Sequence, residues 1–208
     1  MFSSLLPMYK RTAMSYRYYT FGRSLDPRAA EIVDLPDRVD DYFYLRDGVP
    51  MAKYLPPTTE LSLYDGGGDM LTDFIGNPDM VLYVSKRVQQ ILIERGLVGV
   101  VVELLPFELL DKRRRRVREP YALANPLLRI SCLDFERSRY RRTASDPETL
   151  ADVDILHVKE DAIPDDAQIF RVAEFSELMV LRSDLLAAFQ HAEVTGLAVH
   201  PTGELIPG

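Results

Sequence analysis

The spacing of apolar and polar residues predicts the same local structure at two places in the chain. In the first, residues 84–106, an apolar stripe at helical spacing follows Ser85 and breaks at Gly96. The stripe consists of Val88, Ile91 and Leu92. An apolar run, "VGVVVELLP", comes next and stops at Pro106. Because serine favours the helix N-cap and glycine the helix end, this pattern predicts a helix followed at once by a buried strand that Pro106 closes.

The second place, residues 182–201, repeats the pattern with Ser183 as the cap, Gly196 as the break and Pro201 at the end of the strand. Its stripe consists of Leu185, Leu186, Phe189 and Ala192. The serine and the glycine lie 11 residues apart in the first place and 13 in the second, so the patterns are related without being identical. A helix must cover the sheet that it feeds. We therefore interpret the pattern as one packing unit used twice, in which both serines act as caps.

Shorter runs of aromatic and β-branched residues predict further strands. They lie at residues 15–23, 41–48, 116–125, 127–138 and 155–158, and around Phe170 and Met179. The strands at 116–125 and 127–138 are expected to be joined through the "NP" turn, and "YDGGGDM" at 64–70 to form a flexible loop. The elements together predict an α+β fold with mixed or antiparallel sheets, few helices and two related helix–strand units. Residues 1–70 are expected to supply an N-terminal strand and loop region of the same domain as residues 71–208.

Composition adds little to this fold prediction, but it indicates the cellular compartment. The chain has 208 residues, 47% of them hydrophobic, which is enough for a core without disulfide bonds. Its one cysteine, Cys132, lies in an apolar run and is expected to be a buried small hydrophobic residue. No apolar run approaches the roughly 20 residues that span a bilayer. We therefore expect a protein of the reducing cytoplasm.

The net charge of −7 hides two blocks of opposite sign. Residues 111–142 contain 11 basic and 4 acidic residues, whereas residues 143–208 contain 3 basic and 13 acidic residues. The first block is suited to an anionic partner and the second to a cationic one. Alternatively, the two blocks attract each other within one fold.

The residue types that carry catalysis or bind metals do not form a recognisable motif. His157, His191 and His200 are not at metal-ligand spacing, and no cysteine cluster accompanies them. No strand-to-helix nucleophile motif of the G-x-S-x-G kind is present. A hydrolase that uses His157 or His200 with a nearby aspartate stays an open alternative, because such sites assemble from distant residues. We expect neither a metal nor a cofactor.

The strongest electrostatic feature is "KRRRRVR", residues 112–118. Arginine side chains bind phosphates and carboxylates through paired hydrogen bonds. The run is therefore compatible with a solvated loop at a hairpin tip, with contact to an acidic protein partner, or with nucleic-acid binding. The acidic total charge and the lack of a known binding module weaken the nucleic-acid alternative.

Three stretches of the chain resemble, in order, one family of bacterial proteins. They are "MLTDFIGNPDMVLYVSKRVQQIL…GVVVELLPFELLD", "YALANPLLRISCLDFERSRY" and "IFRVAEFSELMVLRSDLLAAFQHAEVTGLAVHP". The chain is similar there to immunity proteins of polymorphic toxin systems, a myxobacterial-type immunity domain formerly classed as a domain of unknown function. The motif positions are Asp73, Phe74, Ser85, Asp134, Ser138, Phe170, Arg171 and Gly196. The resemblance covers about residues 71–201, and its specificity comes from the order of the set.

The resemblance implies a cytoplasmic protein that binds and neutralises a cognate toxin, often encoded by a neighbouring gene, with no catalytic residues. A related possibility is a cytoplasmic inhibitor that holds a secreted enzyme, such as a protease, inactive before export. The candidate partner-binding residues are Asp40, Asp41, Tyr42, Tyr44, Arg113, Arg114, Arg115 and Arg116. For the aromatic residues among them, the favoured alternative is an ordinary strand that packs its aromatic side chains into the core. A nucleic-acid-binding regulator that uses the arginines is the alternative from a different class.

Overall fold

The computed structural model describes residues 16–22, 26–33, 42–79 and 81–206. The β-strands are β1 (Tyr18–Gly22), β2 (Glu60–Ser62), β3 (Phe74–Ile75), β4 (Leu82–Ser85), β5 (Val102–Leu110), β6 (Tyr121–Pro126), β7 (Arg129–Ile130), β8 (Arg139–Arg142), β9 (Leu150–Ile155), β10 (Ile169–Val172), β11 (Phe175–Arg182) and β12 (Ala198–Pro201). The α-helices are α1 (Tyr42–Arg46), α2 (Lys86–Glu94) and α3 (Ser183–His191). The fold is α+β, as predicted.

The strands form two mixed five-stranded sheets and one separate hairpin. Sheet A has the order β12-β1-β11-β10-β7, and sheet B has the order β2-β5-β6-β4-β3. The hairpin consists of β8 and β9. In sheet A, β1 lies between β12 and β11 and pairs antiparallel with both, so strands from opposite ends of the described chain meet in one sheet.

Both predicted helix–strand units are present, and each also has a strand in front of its helix. In sheet B, β4 runs directly into α2, and β5 follows. β6 lies between β4 and β5 and is antiparallel to both, so β4 and β5 are parallel. In sheet A, β11 runs into α3 and is followed by β12, with β1 between them in the same arrangement. Each unit is therefore a split β-α-β unit, which one sequence pattern has specified twice.

The helices of the two units lie side by side and antiparallel. Near the start of α2, Arg87 donates to the carbonyl groups of Ala192 and Glu193 at the end of α3, both at 3.4 Å. Just after the end of α2, Arg95 donates to the carboxylate of Asp184 at 3.0 Å and to its carbonyl at 2.8 Å, at the start of α3. Each contact places opposite charges or partial charges together at a helix end. The apolar faces of both helices join one core cluster with strands from both sheets.

Both sheets are covered on both faces, and every side chain of β4 and β10 is buried. Successive side chains of a strand point to opposite faces. In β4, Val84 joins the helix-side core, whereas Tyr83 joins a second core under the segment that contains α1. In β10, Ile169 joins the helix-side core, whereas Phe170 joins a third core that includes residues of β9. The two helices therefore lie between sheets whose outer faces are covered by other segments.

The segment at 41–48, predicted as a strand, forms the helix α1 instead. Its three consecutive aromatic residues favour a strand. Tertiary contacts override that preference, because the carbonyl groups of Leu45 and Arg46 at the end of α1 accept hydrogen bonds from a buried arginine, Arg171. Such carbonyl groups have no partner inside a helix, so an external donor stabilises the helical form.

The prediction that Pro106 closes a strand is wrong, because β5 continues to Leu110. The strand tolerates the proline because of where its missing N–H group would point. The N–H of Glu108 donates to Thr59 next to β2 at 2.8 Å, so the nitrogen of Pro106, two residues earlier, faces the same edge. β2 pairs only from Glu108 onward, and no ladder hydrogen bond is lost at Pro106.

Two other strand predictions differ in detail from the structure. The strands predicted at 116–125 and 127–138 correspond to β6 and β7, but these belong to different sheets and do not pair with each other. The strand predicted at 155–158 is displaced, because β9 ends at Ile155 and Val158 forms only an isolated bridge with Leu133. The predicted strands near residues 15–23, Phe170 and Met179 are confirmed as β1, β10 and β11.

The guanidinium group of Arg171 connects the two sheets and α1. Its five N–H groups all have acceptors. These are the carbonyl oxygens of Pro126 (2.9 Å), Leu45 (2.8 Å), Arg46 (3.1 Å) and Ser176 (2.9 Å), and the side-chain oxygen of Asn125 (3.3 Å). Burial lowers the pKa of Arg171 to about 10, so the group is still protonated at neutral pH. One buried cation thus holds β6 of sheet B, β11 of sheet A and the end of α1 together.

We expect Arg171→Ala to lower the free energy of unfolding by about 3–5 kcal/mol, because several buried carbonyl groups would lose their donor. Arg171→Lys keeps the charge but has fewer donors in a different geometry, so its loss should be intermediate. Urea unfolding followed by circular dichroism measures both. The matched control is Arg129→Ala, since Arg129 is the exposed register partner of Arg171 in β7 and should cost less than about 0.5 kcal/mol. A loss for Arg171→Ala as small as the control's would contradict this role.

Candidate partner-binding surface

Four of the motif positions, Asp73, Phe74, Ser85 and Gly196, meet at a junction between the two split units. The Ser85 hydroxyl donates to Asp73 Oδ1 at 2.6 Å. Asp73 Oδ2 accepts the backbone N–H and the hydroxyl of Thr195, each at 2.9 Å. Gly196 follows Thr195 with φ +75°, and a Cβ there would lie 2.3 Å from the Phe74 carbonyl oxygen, so only glycine fits. The junction fastens the loop before β12 to the start of β3 and to the end of β4.

Asp73 is a charged group inside this junction. Burial by itself raises the pKa of Asp73, but the hydrogen bonds from Ser85 and Thr195 and the nearby Arg87 outweigh burial and leave the pKa below its ordinary value. Asp73 therefore stays ionised at neutral pH and acts as an acceptor that holds three neighbours in place. Thr195 belongs to the third stretch of the resemblance, but sequence reasoning assigned its side chain no role, since a lone threonine before a glycine carries no distinctive signal.

The assignment of both serines as helix caps needs correction. Ser85 occupies the N-cap position of α2, but its oxygen accepts no capping hydrogen bond, and its hydroxyl donates to Asp73. In the second unit the N-cap position belongs to Arg182, and Ser183 is the first residue of α3.

The predicted helix end at Gly96 is confirmed, since Gly96 has φ +69° just after α2. In the second unit α3 ends at His191, before Gly196, and Glu193 with φ +52° follows it in the left-handed conformation.

The motif positions in "LDFERS" form a turn that is hydrogen-bonded to the segment after β9. Asp134 Oδ1 accepts the N–H groups of Glu136 and Arg137 at 3.1 and 3.3 Å. The Ser138 hydroxyl accepts the N–H of His157 at 2.9 Å and donates to its carbonyl at 3.2 Å. His157 is held here by its backbone, and its side chain is not needed for these bonds.

The remaining motif positions, Phe170 and Arg171, are buried in β10, where Phe170 packs edge-on against Tyr18 with ring centroids 6.1 Å apart. All the motif positions therefore have a structural part in the fold, and none of them forms an exposed recognition surface. The motif set describes a scaffold, and a partner-binding surface must be sought elsewhere on the molecule.

The first candidate surface, at Tyr42 and Tyr44, is only partly described. Asp40 and Asp41 lie outside the described residues, and Tyr42 is the first residue of α1. The Tyr44 side chain is 38% exposed and stacks on Tyr54 at 6.2 Å. Tyr44 is therefore partly exposed, and its ring contacts a residue that packs against the second core.

The second candidate surface, the arginine loop (residues 111–118), connects β5 and β6. Asp111 organises its tip, because Asp111 Oδ1 accepts the N–H groups of Arg113 and Arg115 at 2.8 and 2.9 Å. The N–H of Arg114 donates to the Asp111 carbonyl at 2.8 Å, and Arg114 has φ +60°. The predicted arginines 113–116 therefore lie on one ordered turn and are all exposed.

Only part of the charge of the arginine loop is neutralised. Ion pairs join Lys112 to Asp69 at 2.8 Å, Arg115 to Asp111 at 2.7 Å and Arg116 to Glu108 at 2.5 Å. Arg114 donates to the hydroxyl of Ser62. Within the described residues, Arg113 and Arg118 form no ion pair. The loop therefore keeps unpaired cationic groups at the surface.

The acidic C-terminal block pairs with the basic block at a different place. Across the β8–β9 hairpin, Arg139 pairs with Asp154 at 3.1 Å, and Arg141 pairs with Asp152. The alternative that the two blocks attract each other is therefore correct for this hairpin. It does not apply to the arginine loop, whose ion pairs use carboxylates close to the loop itself.

A cleft of about 1040 Å³ runs between the two sheets and the hairpin, and its lining includes His200. The carboxylates that line it are Asp79, Asp152, Asp154 and Glu177. Glu177 is ion-paired with Arg46, and no hydrogen bond joins the His200 or His157 imidazole to a carboxylate within the described residues. The described residues also contain no group of three metal-ligating side chains. The hydrolase alternative stays a prediction for which no histidine–aspartate pair is formed here.

Cys132 is buried, as predicted, and burial raises the pKa of its thiol to about 12. Among the described residues, no helix is long and apolar enough to cross a membrane. Neither a scan against models of protein families nor a search of curated proteins finds a match for the chain. The resemblance to immunity proteins therefore stays a prediction that rests on the ordered motif positions.

We expect Asp73→Asn to lower the free energy of unfolding by about 1–3 kcal/mol at neutral pH, because an amide is a weaker acceptor for the Ser85 and Thr195 hydrogen bonds. The stability that Asp73 provides is complete above its ordinary pKa of 3.8 and is lost as the pH falls through 3.8 towards the lowered folded-state value. The difference between the wild type and the variant should therefore shrink in acid. Urea unfolding across acid and neutral pH measures this difference.

The control for Asp73→Asn is Asp161→Asn, an exposed position outside the junction, which should change stability by less than about 0.5 kcal/mol. A difference between the wild type and Asp73→Asn that is the same at every pH would show that the charge of Asp73 does not stabilise the junction.

Proposed function

We propose that the protein is a bacterial immunity protein that binds a cognate toxin and neutralises it by stoichiometric protein–protein binding. The observation that carries the proposal is the ordered set of motif positions between Asp73 and Gly196, which resembles that family. We further propose that the protein acts in the cytoplasm and that its partner is encoded by a neighbouring gene. The proposed activity requires no cofactor and no metal.

The roles of the motif positions support this proposal. Asp73, Ser85 and Gly196 fasten the two split units together, Asp134 and Ser138 clip a turn, and Arg171 links the sheets. A family of binding proteins whose members meet different toxins needs a constant scaffold and a variable surface, since specificity is a difference between affinities. Motif positions that serve only the scaffold are what such a family requires.

The types of residue exposed around the arginine loop also support a binding function. The arginine loop exposes cations and stands beside exposed tyrosine and methionine side chains, and arginine and aromatic residues are the types that dominate binding energy at interfaces. Stoichiometric neutralisation needs such a surface and does not need a tuned catalytic group.

Co-expression with the product of the neighbouring gene tests the proposed function. We expect the neighbour to arrest growth when it is expressed alone, and growth to return when this protein is present, because the complex removes the free toxin. The pair should co-purify at a fixed ratio, measured by size-exclusion chromatography with light scattering. The control is the destabilised variant Arg171→Ala. Its rescue of growth should fall in proportion to the fraction of folded protein that it loses.

A neighbour that is harmless alone and does not co-purify would contradict the proposed function. Co-purification of an inactive secreted enzyme, with recovery of its activity after separation, would replace toxin neutralisation with the inhibitor alternative. Loss of the toxin's effect through covalent change, with no complex formed, would point to an enzyme instead.

A further inference from the structure

We propose that the arginine loop is the docking surface for the toxin and that it takes a face of the toxin rich in carboxylates. This inference rests on the proposed function and names the site and the chemistry of the partner. It assigns binding to residues 111–118 and to the adjoining glycine loop (residues 64–71), and not to the acidic C-terminal block.

Three guanidinium groups at the loop are available for a partner. Arg113 and Arg118 are exposed and have no ion pair within the described residues, and Arg114 is bound only to the hydroxyl of Ser62. Arg115 and Arg116 are in exposed ion pairs, with side chains 67% and 69% exposed. Such exposed pairs are weak, so a partner carboxylate competes for these arginines at low cost. Paired N–H donors of arginine match carboxylates in geometry as well as in charge.

The backbone at Arg114 indicates that its side chain is kept for a reason other than folding. Arg114 has φ +60°, a region that costs a residue with a Cβ roughly 1–2 kcal/mol and costs glycine almost nothing. Glycine or asparagine is the usual residue at such a turn position. Its one side-chain bond is the exposed contact to Ser62, which does not offset that cost. The turn itself therefore gives no reason for an arginine at this position, and the exposed guanidinium group is within reach of a partner.

Exposed apolar side chains lie next to the arginine loop and complete the surface. Lys112 Nζ donates to the Gly67 carbonyl at 2.7 Å and pairs with Asp69, so the two loops are in direct contact. The glycine loop exposes Tyr64 (46%), Met70 (39%) and Leu71 (39%). It is fixed on its inner side, where a Cβ on Gly68 would lie 2.0 Å from the Arg28 carbonyl oxygen. The surface is therefore an ordered platform of arginine, tyrosine and methionine, the composition of protein interfaces.

The same surface is poorly suited to nucleic acid. Carboxylates alternate with the cations, since Glu108, Asp111 and Asp69 stand among them and the Asp69 side chain is 92% exposed. A phosphate backbone needs a continuous positive face, which this alternation does not offer. The alternating cations and carboxylates of this surface instead match a protein face that has both charges and a surplus of carboxylates.

The test measures binding of the purified wild type and variants to the neighbouring gene's product, made as an inactive variant, by isothermal titration calorimetry. We expect Arg113→Glu/Arg118→Glu to raise the Kd at least about 100-fold, because each reversal places like charges together at the interface. We also expect the wild-type Kd to rise with salt more steeply than that of the double variant. The charge-matched control is Arg17→Glu/Arg137→Glu, two exposed arginines outside the loop, which should keep the Kd within about threefold.

A second pair of variants separates the binding role from any effect on folding. Arg114→Gly should leave the thermal midpoint unchanged or raise it by up to about 3 °C, yet raise the Kd at least about tenfold. Glu193→Gly is the matched control, since Glu193 also has φ +52° but lies after α3. It should give a similar change in thermal midpoint and no change in Kd.

The outcomes distinguish the two proposals. If the wild type does not bind the neighbouring gene's product, the proposed function fails and the docking surface fails with it. If the wild type binds and both arginine-loop variants bind equally well, only the docking surface is overturned. Salt-sensitive binding of a fluorescent DNA or RNA oligonucleotide that is lost in Arg113→Glu/Arg118→Glu would overturn the acidic-protein assignment in favour of nucleic acid.

Discussion

The fold depends on one buried cation. Arg171 uses all five of its N–H groups on acceptors that come from the end of α1, from β6 and from the start of β11, so it joins parts that share no ladder hydrogen bonds. A neutral side chain of similar size would leave those carbonyl groups unpaired in a dry environment. The glycine at position 48, with φ +64°, is required for the same reason, because a Cβ there would contact Arg171 Cδ at 2.9 Å.

Around that link, the two split β-α-β units are fastened by polar groups at the edges of an apolar core. The hydrophobic contacts between α2 and α3 are non-directional, so they hold the helices close together but do not fix how far one is shifted along the other. Register comes from the Asp73 junction and from the two arginines, Arg87 and Arg95, that each reach across to the opposite helix end. The combination gives a scaffold whose loops are held in fixed positions, and the arginine loop is one of them.

The sequence pattern predicted the elements that follow from local periodicity, and it missed those that depend on contacts between distant residues. The stripes of α2 and α3, the end at Gly96 and the strands β1, β10 and β11 follow from local spacing. The helix α1 was missed because its stability depends on a donor 126 residues away, and the extension of β5 through Pro106 was missed because it depends on where β2 begins. The charges of the arginine loop were visible in the sequence, but Arg114's left-handed backbone and the neighbouring Tyr64, Met70 and Leu71 were not.

The position of β1 in sheet A has a consequence for the order of folding during synthesis. β1 is among the first strands to leave the ribosome, yet both its neighbours, β11 and β12, are made more than 150 residues later. Sheet B, in contrast, is complete once Pro126 has emerged. Contacts between residues so far apart in sequence form slowly, because the loop must close before they form. The nascent chain therefore carries all five strands of sheet B while both edges of β1 are still unpaired, so β1 is an exposed strand during synthesis.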